Sequence, residues 1–361
     1  MKLYCYGKLD DLLPHHRLAF QHTETLSYDC SYSWFNNLIS STYNKGEEIK
    51  IFVAEDENGQ IAVLPMYYLS GNLFKSRTLR TLSNFYTSLY APILSNEKAI
   101  ELLPNVFHEI SQGQLACDAI ELKPLSLEHD TYVALFNALK YNGFLTFKYF
   151  CFDNWYLLVS GRTFEEYFKG LPSRLRNTVN RKRKQFIATG EARLEIVTDG
   201  DQLDSKIEDY IKVYNSSWKV HEPFPGFMPG LIRLCAKQGW LRLGFAYFQD
   251  RPIAAQIWIV AHDRAAIYKL AHDAQYDTYS VGSVLTAHMM QYVINIDKVK
   301  EVDYLIGDDN YKKDWMSHHR GRWGIVAYNP RTLLGILGAF KQVLGNVRRM
   351  LLSRIREINA N

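Results

Sequence analysis

Residues 265–306, AAIYKLAHDAQYDTYSVGSVLTAHMMQYVINIDKVKEVDYLI, decide the fold. The runs 265–271 and 302–306 predict strands, and residues 284–296 between them have apolar side chains at helical spacing. A strand, helix and strand of this length normally form a right-handed crossover between parallel strands. The segment therefore predicts an α/β (α+β) fold.

The loop after the first of these strands predicts an anion site. In such a unit the loop and the N-terminus of the next helix present backbone N–H groups to a ligand. Ser280 and Ser283 can add hydroxyl hydrogen bonds, and Gly282 permits close backbone approach.

The second strand leads into a polar cluster, GDDNYKKDW, at residues 307–315. Asp303 lies within the predicted strand, and Asp308, Tyr311 and Lys312 follow where parallel strands usually open into a ligand crevice. A solvated loop of capping aspartates is the alternative. Lys269 in the first strand is a further candidate, either as a functional group or as an interior ion pair with Asp303.

An internal repeat supports two similar halves. VAEDENGQIAV at residues 53–63 and FAYFQDRPIAA at residues 245–255 align without gaps at an offset of 192, and both predict a strand, a turn and a strand. Chance similarity between two hairpins is the alternative. We expect domains at 1–150 and 151–330, followed by a C-terminal helix at 331–361.

Composition excludes several classes of protein. The 361 residues carry a net charge of only +4, and five scattered cysteines form no Cys-x-x-Cys pair. Walker, Gly-x-Gly-x-x-Gly and Gly-x-Ser-x-Gly motifs are missing, and the adjacent His318 and His319 complete no zinc pattern. With no secretion signal and no apolar run of about 20 residues, we expect a cytoplasmic protein without a metal.

Several blocks in one order resemble a known family. They are TFEEYFKGLPSRLRNTVNRKRKQF, SSWKVHEPFPGF, GWLRLGFAYFQDRPIAAQIWIV, AIYKLAHDAQYDTYSVGSVL and VDYLIGDDNYKKDWM. The chain resembles the BioF2-like or CelD-like branch of the GNAT acetyltransferase superfamily, which is related to the FemAB-like transferases. This resemblance implies tandem GNAT-like domains, each with a mixed twisted sheet flanked by helices.

The resemblance also implies where an acyl donor binds. Acetyl-CoA or another acyl-CoA would enter between strands 265–271 and 302–306, with its pyrophosphate at Ser280, Gly282 and Ser283. Tyr279 and Val284 depart from the superfamily's usual phosphate-loop residues, so an acyl carrier protein or aminoacyl-tRNA remains open as the donor.

The implied reaction is direct acyl transfer to an amine or hydroxyl. Main-chain N–H groups near Ala271 and His272 would bind the oxyanion, and Asp303 or Asp308 would accept the proton. Tyr311 or Lys312 would polarise the substrate or protonate the leaving thiolate. The predicted substrate-binding residues are Trp218, Lys219, Glu222, Gln256, Arg174 and Arg176. A helix-ending cap with a packed tryptophan is the alternative for Trp218, Lys219 and Glu222.

Two basic segments indicate anionic partners. Residues 169–185 carry seven positive charges and no acidic residue, with apolar residues along one helical stripe. Their charged side could meet lipid head groups, a carrier, CoA phosphates or tRNA, or could simply be solvated. The C-terminal residues 333–355 are amphipathic and basic, which favours an anionic membrane surface, although docking on the body or dimerisation is also open.

The resemblance implies an acyl-CoA-dependent N- or O-acyltransferase, and the two basic segments add the expectation of a cytoplasmic protein that can associate with the inner membrane. The acceptor would belong to an envelope saccharide, exopolysaccharide or similar metabolite, a setting that the resemblance alone implies. The alternatives are a FemAB-like transferase that uses aminoacyl-tRNA and a non-catalytic scaffold for envelope assembly. No nucleic acid other than tRNA is expected as a partner.

Overall fold

Contacts within the chain define two units. The computed structural model describes residues 1–43, 47–72, 75–112 and 117–360, with side chains described through residue 348. Unit 1 is formed by Met1–Phe35, Tyr43–Cys151 and Gly321–Asn361, and unit 2 by Asn36–Thr42 and Phe152–Arg320. Unlike the predicted domains, these units place residues 321–361 with unit 1. The division into domains at 1–150 and 151–330 stays a prediction.

The first half of the chain supplies most of unit 1. Its strands are β1 (Lys2–Tyr6), β2 (Glu47–Glu55), β3 (Ile61–Leu69), β4 (Thr78–Thr81), β5 (Ile93–Leu94), β6 (Ala119–Ser126) and β7 (Leu145–Leu158). Its helices are α1 (Pro14–Thr23), α2 (Tyr32–Thr42), α3 (Leu103–Gln112) and α4 (Asp130–Tyr141).

The second half supplies most of unit 2. Its strands are β8 (Ala192–Val197), β9 (Leu241–Phe248), β10 (Arg251–Ala261), β11 (Arg264–His272), β12 (Glu301–Asp303) and β13 (His318–Tyr328). Its helices are α5 (Phe164–Lys169), α6 (Ser173–Ile187), α7 (Leu203–Asn215), α8 (Phe227–Lys237), α9 (Val281–Asn295) and α10 (Lys312–Trp315). The C-terminal helix α11 (Leu333–Ala360) belongs to unit 1.

Each unit contains a mixed sheet with the same order of pairing. In unit 1 the order β1-β2-β3-β4-β6-β13 is antiparallel except for the parallel pair β4 and β6. In unit 2 the order β8-β9-β10-β11-β12-β7 is antiparallel except for the parallel pair β11 and β12. The predicted α/β class with two similar halves is therefore confirmed.

The repeat extends to the register of the hairpins. In unit 1, Val53 pairs with Val63 and Ala54 with Ala62. In unit 2 the residues 192 positions later form the same pairs, Phe245 with Ala255 and Ala246 with Ala254. The offset found in the sequence therefore relates equivalent positions of two equivalent hairpins.

The core of unit 2 lies on both faces of its sheet. Every residue from Ile253 to Ile259 in β10 is buried, and successive side chains point to opposite faces, so helices must cover both. Helix α9 packs on β9, β10 and β11, while α7 packs on β10 and β11. No helix in the described ranges is long and apolar enough to cross a membrane.

Candidate active site

The parallel strands of unit 2 separate after three paired residues. Arg264, Ala265 and Ala266 of β11 pair with residues 301–303 of β12. Strand β11 then continues to His272, whereas β12 ends at Asp303. The edge of β11 beyond Ala266 is therefore open at the carboxyl end of the parallel pair, where α/β sheets bind ligands.

Strand β12 ends at Asp303 because the backbone turns at Leu305. Leu305 has a φ of 58°, in the left-handed region that an extended strand cannot use. The Leu305 N–H donates to Asp303 Oδ1 at 2.6 Å, and its carbonyl accepts from Asn154 Nδ2 at 2.7 Å. The predicted strand 302–306 is therefore wrong in its second half, because the chain turns at Leu305 and opens the crevice.

Asp303 belongs to a buried ionic network. Arg320 Nη2 donates to Glu301 at 2.7 Å and also to Asp303, while Arg320 Nε donates to Asn154 Oδ1 at 2.6 Å. Asn154 donates to Asp303 as well. Although burial opposes it, the two carboxylates raise the pKa of Arg320. Because its oxygens accept from several donors, Asp303 is better suited to positioning the end of β12 than to the predicted role of base.

Lys269 has a different partner from the predicted one. Its Nζ lies 2.7 Å from Glu222 and 5.8 Å from the centre of the Tyr214 ring. The predicted pair with Asp303 is wrong, because Asp303 is paired with Arg320 and Lys269 extends towards the loop after α7.

That loop brings the predicted acceptor residues to the end of β11. The rings of Trp218 and His272 are 4.5 Å apart, and Glu222 reaches Lys269. Burial, followed by repulsion from Lys269, lowers the pKa of Lys219 to about 8. Residues 47 and 54 positions apart in the sequence thus form one polar group beside the open strand edge.

Strand alternation identifies the N–H groups that face the crevice. Asp273 N donates to Ile253 O on β10 at 2.8 Å, and Ala271 is paired with Ala255 two residues earlier. Backbone groups two residues apart point to the same side of a strand. The N–H groups of Leu270 and His272 therefore face away from β10, towards the open edge. This geometry moves the predicted oxyanion contact from the N–H groups of Ala271 and His272 to those of His272 and Leu270.

The N-terminus of α9 presents unshared amides beside this edge. Ser280 precedes the helix with a φ of 46°, and no side chain caps the helix. Since the first amides of a helix lack intrahelical partners, those of Val281, Gly282 and Ser283 can bind an anion. Gly282 lies against His272: a Cβ at Gly282 would be 3.3 Å from His272 Nδ1.

Gln256 fixes the first turn of α9. Its Nε2 donates to Gly282 O at 3.0 Å and to Thr286 Oγ1 at 2.9 Å, and its Oε1 accepts from Trp258 Nε1. Only 1% of the Gln256 side chain is exposed. These contacts make it a support of the anion loop, and they oppose the predicted direct contact with substrate.

Helix α6 brings basic side chains to the same loop. It buries Val179 and Phe186, which confirms the predicted amphipathic helix. The Phe186 ring lies 5.5 Å from Tyr279, and Lys182 Nζ donates to Thr278 O. Arg176 Nε is buried without a hydrogen-bond partner, whereas Arg174 is exposed. The basic segment therefore borders the loop that leads into α9.

The loop after β12 carries the remaining predicted residues. Asp308 is exposed and accepts from Trp155 Nε1 at 2.6 Å. Lys312 is buried, with its Nζ 2.5 Å from Ile306 O and 3.0 Å from Asp309, so it holds the loop in place. The half-exposed Tyr311 lies edge-on to Tyr304, and burial of its ring raises its pKa to about 12.

Sequence reasoning missed Arg320 and Asn154. Arg320 stands beside the adjacent histidines, and Asn154 is 149 residues from Asp303, which it contacts. No local pattern marks an asparagine whose partners are so distant in sequence. Arg320 lies near the start of the observed β13, and no pattern in the sequence marked it.

The open parallel pair, the uncapped α9 and the flanking mixed sheet fit the fold of a GNAT-type acyltransferase domain. The family model described as "Acetyltransferase (GNAT) domain" matches residues 173–313, so the chain carries a GNAT domain in that segment. The match includes α6, β11, α9 and the loop with Asp308 and Tyr311. Among curated proteins, none matches the sequence.

Solved structures with the same fold cover most of the chain. FemX has a TM-score of 0.59 at 11% identity, covering 91% of this chain and 97% of its own. A conserved protein of unknown function from Bacteroides thetaiotaomicron has a TM-score of 0.58 at 10% identity, covering 91% and 100%. A C-terminal domain assigned to a lysylphosphatidylglycerol synthetase of Agrobacterium fabrum has a TM-score of 0.53 at 12% identity, covering 91% and 97%. These likenesses show that the chain shares their fold.

Proposed function

We propose that the protein transfers an acyl group from acyl-CoA to an amine or hydroxyl of an envelope-related saccharide or lipid-linked metabolite. The observation that carries this proposal is the opening between β11 and β12 beside the uncapped N-terminus of α9. A thioester can lie along the strand edge while its phosphates meet the helix amides.

Basic side chains support a phosphate-bearing donor. Lys182 donates a hydrogen bond to the loop at Thr278. Arg176 lies on the same helix, and its buried Nε has no hydrogen-bond partner. Charge-assisted hydrogen bonds to phosphate are stronger than neutral ones. The α6 residues thus complement the helix amides at the donor's anionic end.

The chemistry follows from the groups around the open edge. The acceptor attacks the thioester carbonyl carbon, and the N–H groups of His272 and Leu270 stabilise the oxyanion. The acceptor proton passes to the exposed Asp308 or to water, the C–S bond breaks, and Tyr311 donates a hydrogen bond to the departing thiolate. Glu222, Lys219 and Lys269 orient the acceptor.

An aminoacyl-tRNA donor is the second candidate. The fold shared with FemX and the acid-free basic stretch around α6 favour it. Both donors are polyanions, so phosphate contacts alone do not separate them. An acyl carrier protein would use the same basic face.

Donor binding is expected to depend on Lys182. Acetyl-CoA, a longer acyl-CoA and aminoacyl-tRNA are titrated against the full chain by calorimetry. Lys182→Ala should weaken binding of the preferred donor about 10-fold, because it removes one charge-assisted hydrogen bond. Lys184→Ala removes the same charge from an exposed position about 200° around the helix and should have little effect.

The same titration separates the donors. Saturable binding of an acyl-CoA with turnover supports the main proposal, whereas turnover with aminoacyl-tRNA alone replaces it by the second candidate. If the two lysine variants weaken binding equally, α6 acts as a diffuse charged surface and the phosphate site is assigned wrongly.

We also propose that the protein works at an anionic membrane surface on its cytoplasmic side. Helix α11 packs through small residues: Gly335 lies against Asn329, and Gly338 against Tyr328. Its opposite side exposes the large apolar residues Leu333, Ile336, Leu337, Phe340, Val343, Leu344 and Val347. Residues 333–360 contain five basic residues and one acidic residue, a composition that suits anionic lipid.

Part of that predicted apolar and basic pattern falls outside the described side chains. These positions are Arg349, Met350, Leu351, Arg354, Ile355 and Arg356. The membrane proposal therefore rests on residues 333–348 and on the charge of the sequence.

Flotation with vesicles tests the membrane surface. The full chain should float with phosphatidylglycerol vesicles and much less with phosphatidylcholine vesicles. Leu337→Glu with Phe340→Glu should abolish flotation, because two carboxylates would enter the apolar face. Gln342→Glu with Asn346→Glu adds the same charge elsewhere on α11, so equal loss in both variants would argue for charge alone.

A further inference from the structure

A group of metal-ligating side chains lies in unit 1, outside the acyl-transfer site. Glu55 Oε2 is 3.4 Å from His15 Nε2 and 3.4 Å from His16 Nε2. All three atoms lie within 4.8 Å of one another, the one such group in the described part of the chain. His16 is fully buried and Glu55 partly buried, while His15 is exposed.

These residues stand where the fold otherwise places apolar side chains. Strand β2 pairs with β1 so that Glu55, Val53 and Ile51 share one face. Val53 and Ile51 are fully buried on that face. Burying a carboxylate at the end of this row, beside a buried imidazole, lowers the folding stability unless the charge is paired or coordinates a metal ion.

The two distances from Glu55 Oε2 to the histidine nitrogens suit ligands of a shared ion better than hydrogen bonds. Protein N–H···O hydrogen bonds span about 2.7–3.2 Å, shorter than both contacts. Zinc binds histidine nitrogen and carboxylate oxygen at about 2.0–2.2 Å, so tetrahedral ligands lie about 3.3–3.5 Å apart. The two contacts of Glu55 at 3.4 Å match that separation.

A second contact orients the buried ligand. Tyr6 Oη lies 3.4 Å from His16 Nδ1, and the Tyr4 ring packs 5.1 Å from the same imidazole. Metal-bound histidines normally direct their other N–H to an oxygen atom, most often of a carboxylate, a backbone carbonyl or a water, which fixes the tautomer. His16 can therefore present Nε2 to the ion while its Nδ1 faces the Tyr6 hydroxyl.

We propose that His15, His16 and Glu55 bind one divalent transition-metal ion, zinc above all, and thereby tie the start of α1 to the end of β2. Two imidazoles favour zinc over calcium or magnesium, which prefer oxygen ligands. The exposed side of His15 leaves a coordination position for water. This site is independent of the acyl-transfer chemistry.

Zinc binding to the chelator-treated full chain tests this site. Calorimetry should give one zinc ion per chain, and cobalt should give the intense visible absorption of a four-coordinate ion. Glu55→Gln keeps the shape and hydrogen bonding but removes the anionic ligand, and should weaken zinc binding by about 100-fold or more. Tyr6→Phe should weaken it about 10-fold, as expected for an outer partner. His22→Ala, an exposed histidine on α1, is the matched control.

Each outcome decides the proposal. One-to-one binding that Glu55→Gln and His15→Ala both weaken, with no response to magnesium, supports it. Absence of zinc binding overturns it, as does binding that survives Glu55→Gln, which would mean an ion held elsewhere, for example at the exposed Cys5. Thermal unfolding without metal shows whether the variants remain folded.

Discussion

Replacing Arg320 with alanine is expected to lower the free energy of unfolding by about 3–5 kcal/mol. The change leaves Glu301 and Asp303 as neighbouring buried carboxylates, each side chain 10% exposed, without their shared cation. Urea unfolding of the full chain measures the loss. Residual compensation by Asn154 should be small, because its amide carries no charge.

Arg233→Ala is the matched control for this prediction. Arg233 and Asp204 form an ion pair of 2.9 Å, but both side chains are more than half exposed. Exposed pairs contribute up to about 1 kcal/mol. If Arg320→Ala costs no more than this control, the buried network does not hold β12. Adding Glu301→Gln and Asp303→Asn to Arg320→Ala should restore part of the stability, since the unpaired charges are removed.

Tyr311→Phe is expected to lower kcat by about 10- to 100-fold while donor affinity stays unchanged. A hydrogen bond to a charged group contributes about 1.5–3 kcal/mol, which corresponds to that loss when it forms only as the thiolate develops. With a pKa of about 12, the phenol is protonated at neutral pH. It is a weaker acid than a thiol of pKa about 8.5, so it stabilises the thiolate and solvent completes the proton transfer.

The leaving group distinguishes this role from a structural one. Donors with more acidic thiols need less help, so the deficit of Tyr311→Phe should shrink along such a series. Tyr276→Phe, in the loop between β11 and α9, removes the same hydroxyl from a half-buried ring and should retain turnover. A deficit that is constant across the series, or appears only in donor affinity, contradicts the assignment.

More of the fold than of the candidate site could be predicted from the sequence. The strand predicted at 265–271 lies within the observed β11, and the 192-residue offset anticipated equivalent hairpins, because both patterns are local. The end of β12 was not predictable, since Tyr304 and Leu305 are good strand residues and only Asp303 and Asn154 turn the chain there.

The predicted ion pair between Lys269 and Asp303 was wrong for a related reason. Lys269 and Asp303 lie on neighbouring strands, so pairing them was reasonable, yet the strands have separated before Lys269 is reached. Lys269 instead forms an ion pair with Glu222, and Asp303 forms one with Arg320. Long-range partners of polar residues depend on where strands diverge, which hydrophobic periodicity does not encode.

The order of strands in unit 1 has a consequence during synthesis on the ribosome. Strand β6 pairs with β13, which emerges only after almost all of unit 2 has been made. Until then the nascent chain presents an unpaired edge of β6, the kind of edge that invites pairing with other chains. During that interval the first sheet is exposed to pairing with other chains along β6.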